Sequence, residues 1–320
     1  MPPIFLGIIG FSILITGAHL FVNGSINLAR ILRISDLIIG LTVVAFGTSA
    51  PELFVNLMAS LNGNSQLALG DICGSNIFNI FFILGASAII YPLKVTKATV
   101  WKEIPFSLLA AILVLILAND IFMDRSNISI LGRVDGLVLL CFFIIFIYYL
   151  YNISRGDIGR VSEGHDIRCS TVKTMFLMAL GFAGLIIGGR LVVNSALSLA
   201  SILGVSESAI GLSIVAIGTS LPELVTSAVA AYKKNADIAV GNIVGSNIFN
   251  IFLILGISSI INPIPLSAGN NIDYLVLILA SLFLFISMFS GKRHTIDRWE
   301  GALSIVIYII YLSFLIKRSV

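Results

Sequence analysis

Two hexapeptides carry the residues best suited to chemistry: Gly47-Thr48-Ser49-Ala50-Pro51-Glu52 and Gly218-Thr219-Ser220-Leu221-Pro222-Glu223, each set in a long apolar stretch. Each is followed by a second shared segment, Gly74-Ser75-Asn76-Ile77-Phe78-Asn79 and Gly245-Ser246-Asn247-Ile248-Phe249-Asn250. A carboxylate at mid-membrane is disfavoured by at least about 2.5 kcal/mol on insertion scales, so Glu52 and Glu223 mark a functional site. Pro51 and Pro222 cannot donate to the carbonyls of Gly47 and Gly218, which would be released at bilayer depth. Such oxygens are tolerated only where they face protein, water or a ligand. If helical, Thr48 and Glu52 share a face, as do Ser75 and Asn79, Thr219 and Glu223, and Ser246 and Asn250. The assembled donors are carboxylate, hydroxyl, amide and carbonyl oxygens, without His or Cys. That set suits hard cations such as Ca2+ and Na+, whereas zinc and copper favour imidazole or thiolate. Two carboxylates neutralise one Ca2+.

The two motif pairs recur at one offset of 171 residues, and Gly40 to Pro92 aligns without a gap to Gly211 to Pro263 with 30 identities in 53 positions. The chain is therefore an internal duplication. Matched residues extend back through Leu28/Leu199, Asn23/Asn194, Gly17/Gly188 and Gly10/Gly181. Gly40, Gly70 and Gly85, with Gly211, Gly241 and Gly256, are expected to let helices approach closely. Asn76 and Asn247 lie three positions out of phase with Asn79 and Asn250, and suit either the site or a bond between helices. Among further matched pairs, His19/Arg190 reads as snorkelling or pore-lining. Asp71/Asn242 reads as a helix cap or as a neighbour of the ion path.

With 58% hydrophobic and 11% charged residues and a mean hydropathy of +1.06, the chain reads as an all-α polytopic membrane protein. At about 20 apolar residues per crossing, ten spans are expected: 4-31, 36-61, 66-91, 104-121, 130-153, 172-203, 207-232, 236-261, 270-290 and 299-317. Five crossings separate equivalent residues, so the halves 1-153 and 172-320 are expected to be inverted five-helix repeats joined by a cytoplasmic linker, 154-171. Assigning basic residues to alternate faces puts fourteen, including Arg30, Arg33, Lys97, Lys102, Lys233 and Lys234, on the linker side, and only Arg125, Arg133, Lys317 and Arg318 opposite. By the positive-inside rule both termini lie outside. The N-terminal run is read as a true span of an integral membrane protein of the cell membrane, not a signal peptide.

Cys73, Cys141 and Cys169 have neither paired nor metal-ligand spacing. No phosphate loop is present, no cofactor is indicated, and a small net charge of +3 argues against a nucleic-acid partner. The partners expected are membrane lipid and the transported ions, with no obligate protein partner.

Both motifs resemble those of the calcium/cation antiporter superfamily, specifically its prokaryotic sodium/calcium exchanger branch, whose repeats read Gly-Thr-Ser-x-Pro-Glu and Gly-Ser-x-x-x-Asn/Asp. The resemblance implies that Glu52 and Glu223 are the central cation ligands, joined by Thr48 and Thr219 partly through backbone carbonyls. It places Ser49 and Ser220 in the same site. It makes Ser75 and Ser246, with the carbonyls of Ala45 and Ala216, flanking Na+ positions, and turns Asn79 and Asn250 toward the middle. One departure is Asn250, where this branch often carries Asp.

The expected activity is therefore Ca2+/Na+ antiport by alternating access. Ions compete for oxygens around Glu52 and Glu223, and the spans 4-31 and 172-203 move past the remaining bundle. H+/Ca2+ antiport is the first alternative and a glutamate-lined cation channel the second. An intramembrane enzyme fits worst, because no Ser/His, paired-Asp or zinc pattern accompanies the acids.

Overall fold

The computed structural model describes residues 3-63, 65-119, 129-157, 170-202, 216-266 and 270-319. It opens with α1 (Pro3–Leu32) and a broken pair, α2 (Asp36–Thr48) and α3 (Ala50–Leu61), bent by 47° at Ser49. The bend is where Pro51 withholds its donor. Next comes α4, an α-helix over Ser65–Phe78, a π-helical turn over Asn79–Ile83 and a last α-helical stretch over Leu84–Ile90. Strand β1 (Leu93–Lys94), α5 (Lys97–Trp101), α6 (Glu103–Leu117), strand β2 (Ile130–Leu131) and α7 (Arg133–Asp157) complete the first half.

The second half repeats the order with α8 (Thr171–Ile202), α9 (Ala216–Thr219) and α10 (Leu221–Tyr232), again interrupted at the serine of the motif, Ser220. Helix α11 begins as Ala236–Ile248, passes through a π-helical turn at Phe249–Leu255 and ends with Gly256–Ile261. Strand β3 (Ile264–Pro265), α12 (Asn270–Ser287), strand β4 (Thr295–Ile296) and α13 (Arg298–Ser319) follow. Among the described residues seven helices are long and apolar enough to cross a membrane, or eight if α2 and α3 form one span.

Several sequence expectations shift. The stretch 104-121 leaves its helix at Leu117, and Ile130 and Leu131 belong to a strand instead of a span. The stretch 270-290 leaves its helix at Ser287, and Ser154 to Asp157 of the expected linker continue α7. The remaining linker, 158-169, and the beginning of the expected span 207-232 lie outside the described residues. The all-α reading also missed two short antiparallel ladders: Leu93 and Lys94 pair with Ile296 and Thr295, and Ile130 and Leu131 pair with Pro265 and Ile264. Each ladder joins one half of the chain to the other. Two-residue strands give no periodic signal, which is why alternation could not reveal them.

The motif-bearing helices occupy the centre. In α4 and α11 the spanning windows are 78% and 83% buried, against 22% to 39% for α1, α6, α7, α8 and α13. Peripheral helices instead present residues such as Ile8, Ile144, Phe176 and Ile310 outward, as lipid contact requires. Close glycine packing holds the layers together. Gly40 on α2 meets Gly241 on α11, where an added methyl group would come within 3.1 to 3.2 Å of backbone. Gly70 does not behave this way: a side chain there would find nothing within 4 Å. The matched Gly211 lies outside the described residues.

Helices α1 and α8 lie along each other through Gly10, Gly17, Gly181, Gly184 and Gly188, where an added methyl group would stand 2.5 to 3.0 Å from opposing backbone. Without a hydrophobic drive between helices in lipid, such apposition depends on dispersion between close backbones. The pair reaches the motifs through Phe21, whose ring abuts Gly47, and Val193, which abuts Gly218. Lys233, in the turn after α10, also ties α1 to the bundle through the carbonyl of His19 at 3.2 Å and the Asn23 Oδ1 at 2.5 Å. Burial lowers the Lys233 pKa from the usual lysine value.

Candidate cation site

The helix breaks at Ser49 and Ser220 turn the first residues of α3 and α10 inward, and Glu52 and Glu223 follow them into the core, each 1% exposed. The contacts cross between the halves. Ser49 Oγ donates to Glu223 Oε1 at 3.2 Å, and Ser220 Oγ donates to Glu52 Oε1 at 3.3 Å. The serines that sequence reasoning reached only through resemblance are thus the direct partners of the carboxylates. Thr48 Oγ1 donates to Asn242 Oδ1 at 2.9 Å and Thr219 Oγ1 to Asp71 Oδ1 at 3.5 Å. Each threonine thus reaches the helix that carries the opposite repeat's second motif, Thr48 to α11 and Thr219 to α4.

A second layer of amides lies between α4 and α11. Asn79 donates to Asn247 Oδ1 at 2.9 Å and Asn250 donates to Asn76 Oδ1 at 3.0 Å. Asn76 and Asn247 also donate to each other's backbone carbonyls at 3.2 and 3.4 Å. These bonds explain why Asn76 and Asn247, out of phase with the other pair, still belong to the assembly: they fix the amides of Asn79 and Asn250 so that both Oδ1 atoms are left over. The π-helical turns begin at Asn79 and Phe249, beside these amides. Wide turns of this kind recur at functional sites.

What remains unbonded identifies the chemistry. Glu52 Oε2, Glu223 Oε2, Asn79 Oδ1, Asn250 Oδ1 and Ser75 Oγ are buried oxygens with no hydrogen-bond partner. A buried acceptor left unmatched costs about 1–3 kcal/mol, more if charged, and interiors seldom tolerate several together. Carboxylate, amide and hydroxyl oxygens are the donors that hard cations such as Ca2+ or Na+ accept. Ser246 Oγ lies 3.5 Å from Thr48 Oγ1. The Ala45 carbonyl already accepts from Ser49 N at 2.9 Å and Thr48 Oγ1 at 3.3 Å, while Ala216 opens α9. Among the described residues no group of three His, Cys, Asp or Glu side chains gathers to hold a metal.

Asn56 was not singled out by sequence reasoning, yet its Nδ2 donates to the Glu52 carbonyl at 2.8 Å and to Asp71 Oδ2 at 2.7 Å. Its matched residue Ser227 accepts from Asn242, which also donates to the Glu223 carbonyl at 3.4 Å. The available signal was spacing: Asn56 sits four residues after Glu52, and the 171-residue offset joins it to Ser227. Asp71 and Asn242 lie within their helices, which overturns the reading of either as a cap. A cavity of about 360 Å³, lined by Pro51, Phe54, Gly189, Arg190, Val193 and Thr219 among others, reaches the site between α8 and the broken helices. Arg190 thus lines a cavity, whereas the His19 carbonyl receives Lys233.

Residues 3-152 and 173-317 match the family model described as sodium/calcium exchanger protein. The chain belongs to that family. It is 36% identical over 308 residues to the putative antiporter CaxA of Alkalimonas amylolytica, covering 95% of each chain. It is 30% identical to the sodium/calcium exchanger MaX1 of Methanosarcina acetivorans, covering 95% of this chain and 96% of that protein. Among solved structures it is similar to the sodium-calcium exchanger NCX_Mj soaked with 10 mM Na+ and zero Ca2+. That match has 33% identity and a TM-score of 0.82 over 97% of this chain and 98% of that one. This family member is accordingly a membrane protein of ion transport.

The crossed serines yield a quantitative expectation. Ser49→Ala and Ser220→Ala each remove a charge-assisted bond worth about 1.5–3 kcal/mol in stability terms, and each deprives one glutamate, Glu223 or Glu52, of the opposite half's serine. Cation affinity is expected to change by similar factors in the two variants, because the bonds are matched in geometry. Titration of 45-calcium binding to each purified variant checks this, and an effect confined to one of them contradicts the matched roles.

Proposed function

We propose that the protein is a secondary antiporter exchanging Ca2+ for Na+ across a cell membrane by alternating access. The observation that carries this reading is the set of buried, unpartnered oxygens around two glutamates that are each bonded by the opposite half's serine. Glu52 and Glu223 act as central ligands, supported by Ser49, Ser220, Thr48, Thr219, Asn79 and Asn250. Ser75 and Ser246 act in flanking positions with the Ala45 and Ala216 carbonyls. A bound cation offsets the charge of the two ligating carboxylates, so the loaded site crosses an apolar barrier that the empty site resists. Exchange follows because Ca2+ and Na+ compete for the same oxygens.

The architecture proposed with it has ten spans in two inverted halves, 1-153 and 172-320, with both termini outside and 154-171 cytoplasmic. The glycine-packed pair α1 and α8 moves as one body, since its side chains touch Gly47 and Gly218 while its outer faces meet lipid.

The decisive experiment is 45-calcium uptake into proteoliposomes loaded with Na+, against matched vesicles holding only a pH gradient, with ionophore controls. Uptake driven by the Na+ gradient, concentrating Ca2+ inside, is the expected result. Uptake driven only by pH would assign H+/Ca2+ antiport, and equilibration without accumulation would assign a channel.

A further inference from the structure

The two halves solve one bonding problem with different charges. Around Glu223, the Asn242 amide donates to the Glu223 carbonyl and to Ser227 Oγ, and its oxygen accepts from Thr48. Around Glu52, the Asn56 amide donates to the Glu52 carbonyl and to Asp71, whose other oxygen is met by Thr219. The offset pairs Asn56 with Ser227 and Asp71 with Asn242. Every bond on the second side is made by neutral groups, so bonding alone does not require a charge at position 71. A part-buried carboxylate in a membrane protein core is unfavourable unless something compensates it. Asp71 stands in the electrostatic reach of both Glu52 and Glu223, yet the three acids do not gather into one ligand cluster.

We propose that Asp71 is a third fixed charge of the cation site, setting affinity and charge balance through its field while Glu52 and Glu223 ligate. It stands one helix turn from Ser75 on α4 and shares Asn56 with Glu52, so its charge is held against the site without entering it. With Glu52 and Glu223 alone the site carries −2; Asp71 makes it −3. A Ca2+-loaded site then retains one negative charge, and cations totalling +3 neutralise it. This also offsets the amide at position 250, where a carboxylate would otherwise contribute.

The inference rests on the antiport reading, and the test separates the two. The first variant combines Asn56→Ser with Asp71→Asn and copies the neutral pair of the second half into the first, keeping the bond pattern. The reverse variant combines Ser227→Asn with Asn242→Asp and adds a charge on the other side. Ca2+ and Na+ affinities are measured by 45-calcium binding to purified protein with Na+ competition, alongside wild-type uptake. The neutral variant is expected to bind Ca2+ about tenfold more weakly. Its shift in log affinity should be twice as large for Ca2+ as for Na+, because a field acts in proportion to ionic charge. The charged variant is expected to shift both affinities in the opposite direction and in the same two-to-one ratio.

A neutral variant within twofold of wild type, or equal shifts for Ca2+ and Na+, would overturn the role of Asp71 and leave the antiport reading intact. Should the neutral variant not fold, an unchanged charged variant overturns it equally. Wild-type protein that fails to couple Ca2+ uptake to Na+ would instead remove the antiport reading beneath it.

Discussion

Glu52→Gln and Glu223→Gln are each expected to abolish Na+-driven Ca2+ uptake, with Ca2+ affinity falling by more than about a thousandfold. The substitution keeps size, helix propensity and the oxygen that accepts from Ser220 or Ser49, and removes one unit of charge. Two unit charges about 4 Å apart interact by about 4 kcal/mol at an effective dielectric of 20, close to three decades in affinity. For a divalent ion the loss is larger. Because each glutamate is bonded by the opposite half's serine and each has one oxygen left over, the two variants should fail alike. Uptake of 45-calcium at matched reconstitution, with thermal unfolding to confirm intact protein, is the measurement. Flux within tenfold of wild type in either variant would remove that glutamate from the site.

The second large effect is structural. Gly181→Leu and Gly188→Leu place side chains where a bare methyl group already comes 2.5 Å from Phe21 N and 2.6 Å from Leu14 N on α1. These neighbours are backbone and cannot swing aside, so the helices must part along their whole contact. Overpacking of this kind costs about 1–3 kcal/mol, and more where main chain is the obstacle. We expect a lowered unfolding temperature and loss of transport, since α1 and α8 contact Gly47 and Gly218 through Phe21 and Val193. Gly70→Ala supplies the contrast: open space surrounds it, and alanine favours a helix by up to about 1 kcal/mol over glycine. Fluorescence-detected size-exclusion after heating distinguishes these outcomes. Equal stability of Gly181→Leu and wild type would contradict this packing.

The sequence by itself determined the duplication, the apolar helices and the oxygen chemistry of Glu52 and Glu223. These are properties of composition, local periodicity and one repeated offset, and they hold before the chain folds. It also marked Pro51 and Pro222 as withholding donors from the Gly47 and Gly218 carbonyls, while reading 36-61 and 207-232 each as one span; the break at Ser49 is a finding of the structure. The expected bundle count, the inverted order and the sidedness rest on that same reading.

Only the tertiary structure decided which half serves which. Ser49 reaches Glu223 and Ser220 reaches Glu52 across 174 and 168 residues, and no spacing within one motif specifies a partner that remote. The amide layer of Asn76, Asn79, Asn247 and Asn250 arises in the same way, from two helices meeting at matched positions. The widened turns, the two short ladders and the unequal treatment of Asp71 and Asn242 also follow from docking. A helix face predicted from sequence says which residues point together. What they point at is set by the opposing segment, and packing and bond satisfaction fix that only when the halves close on each other.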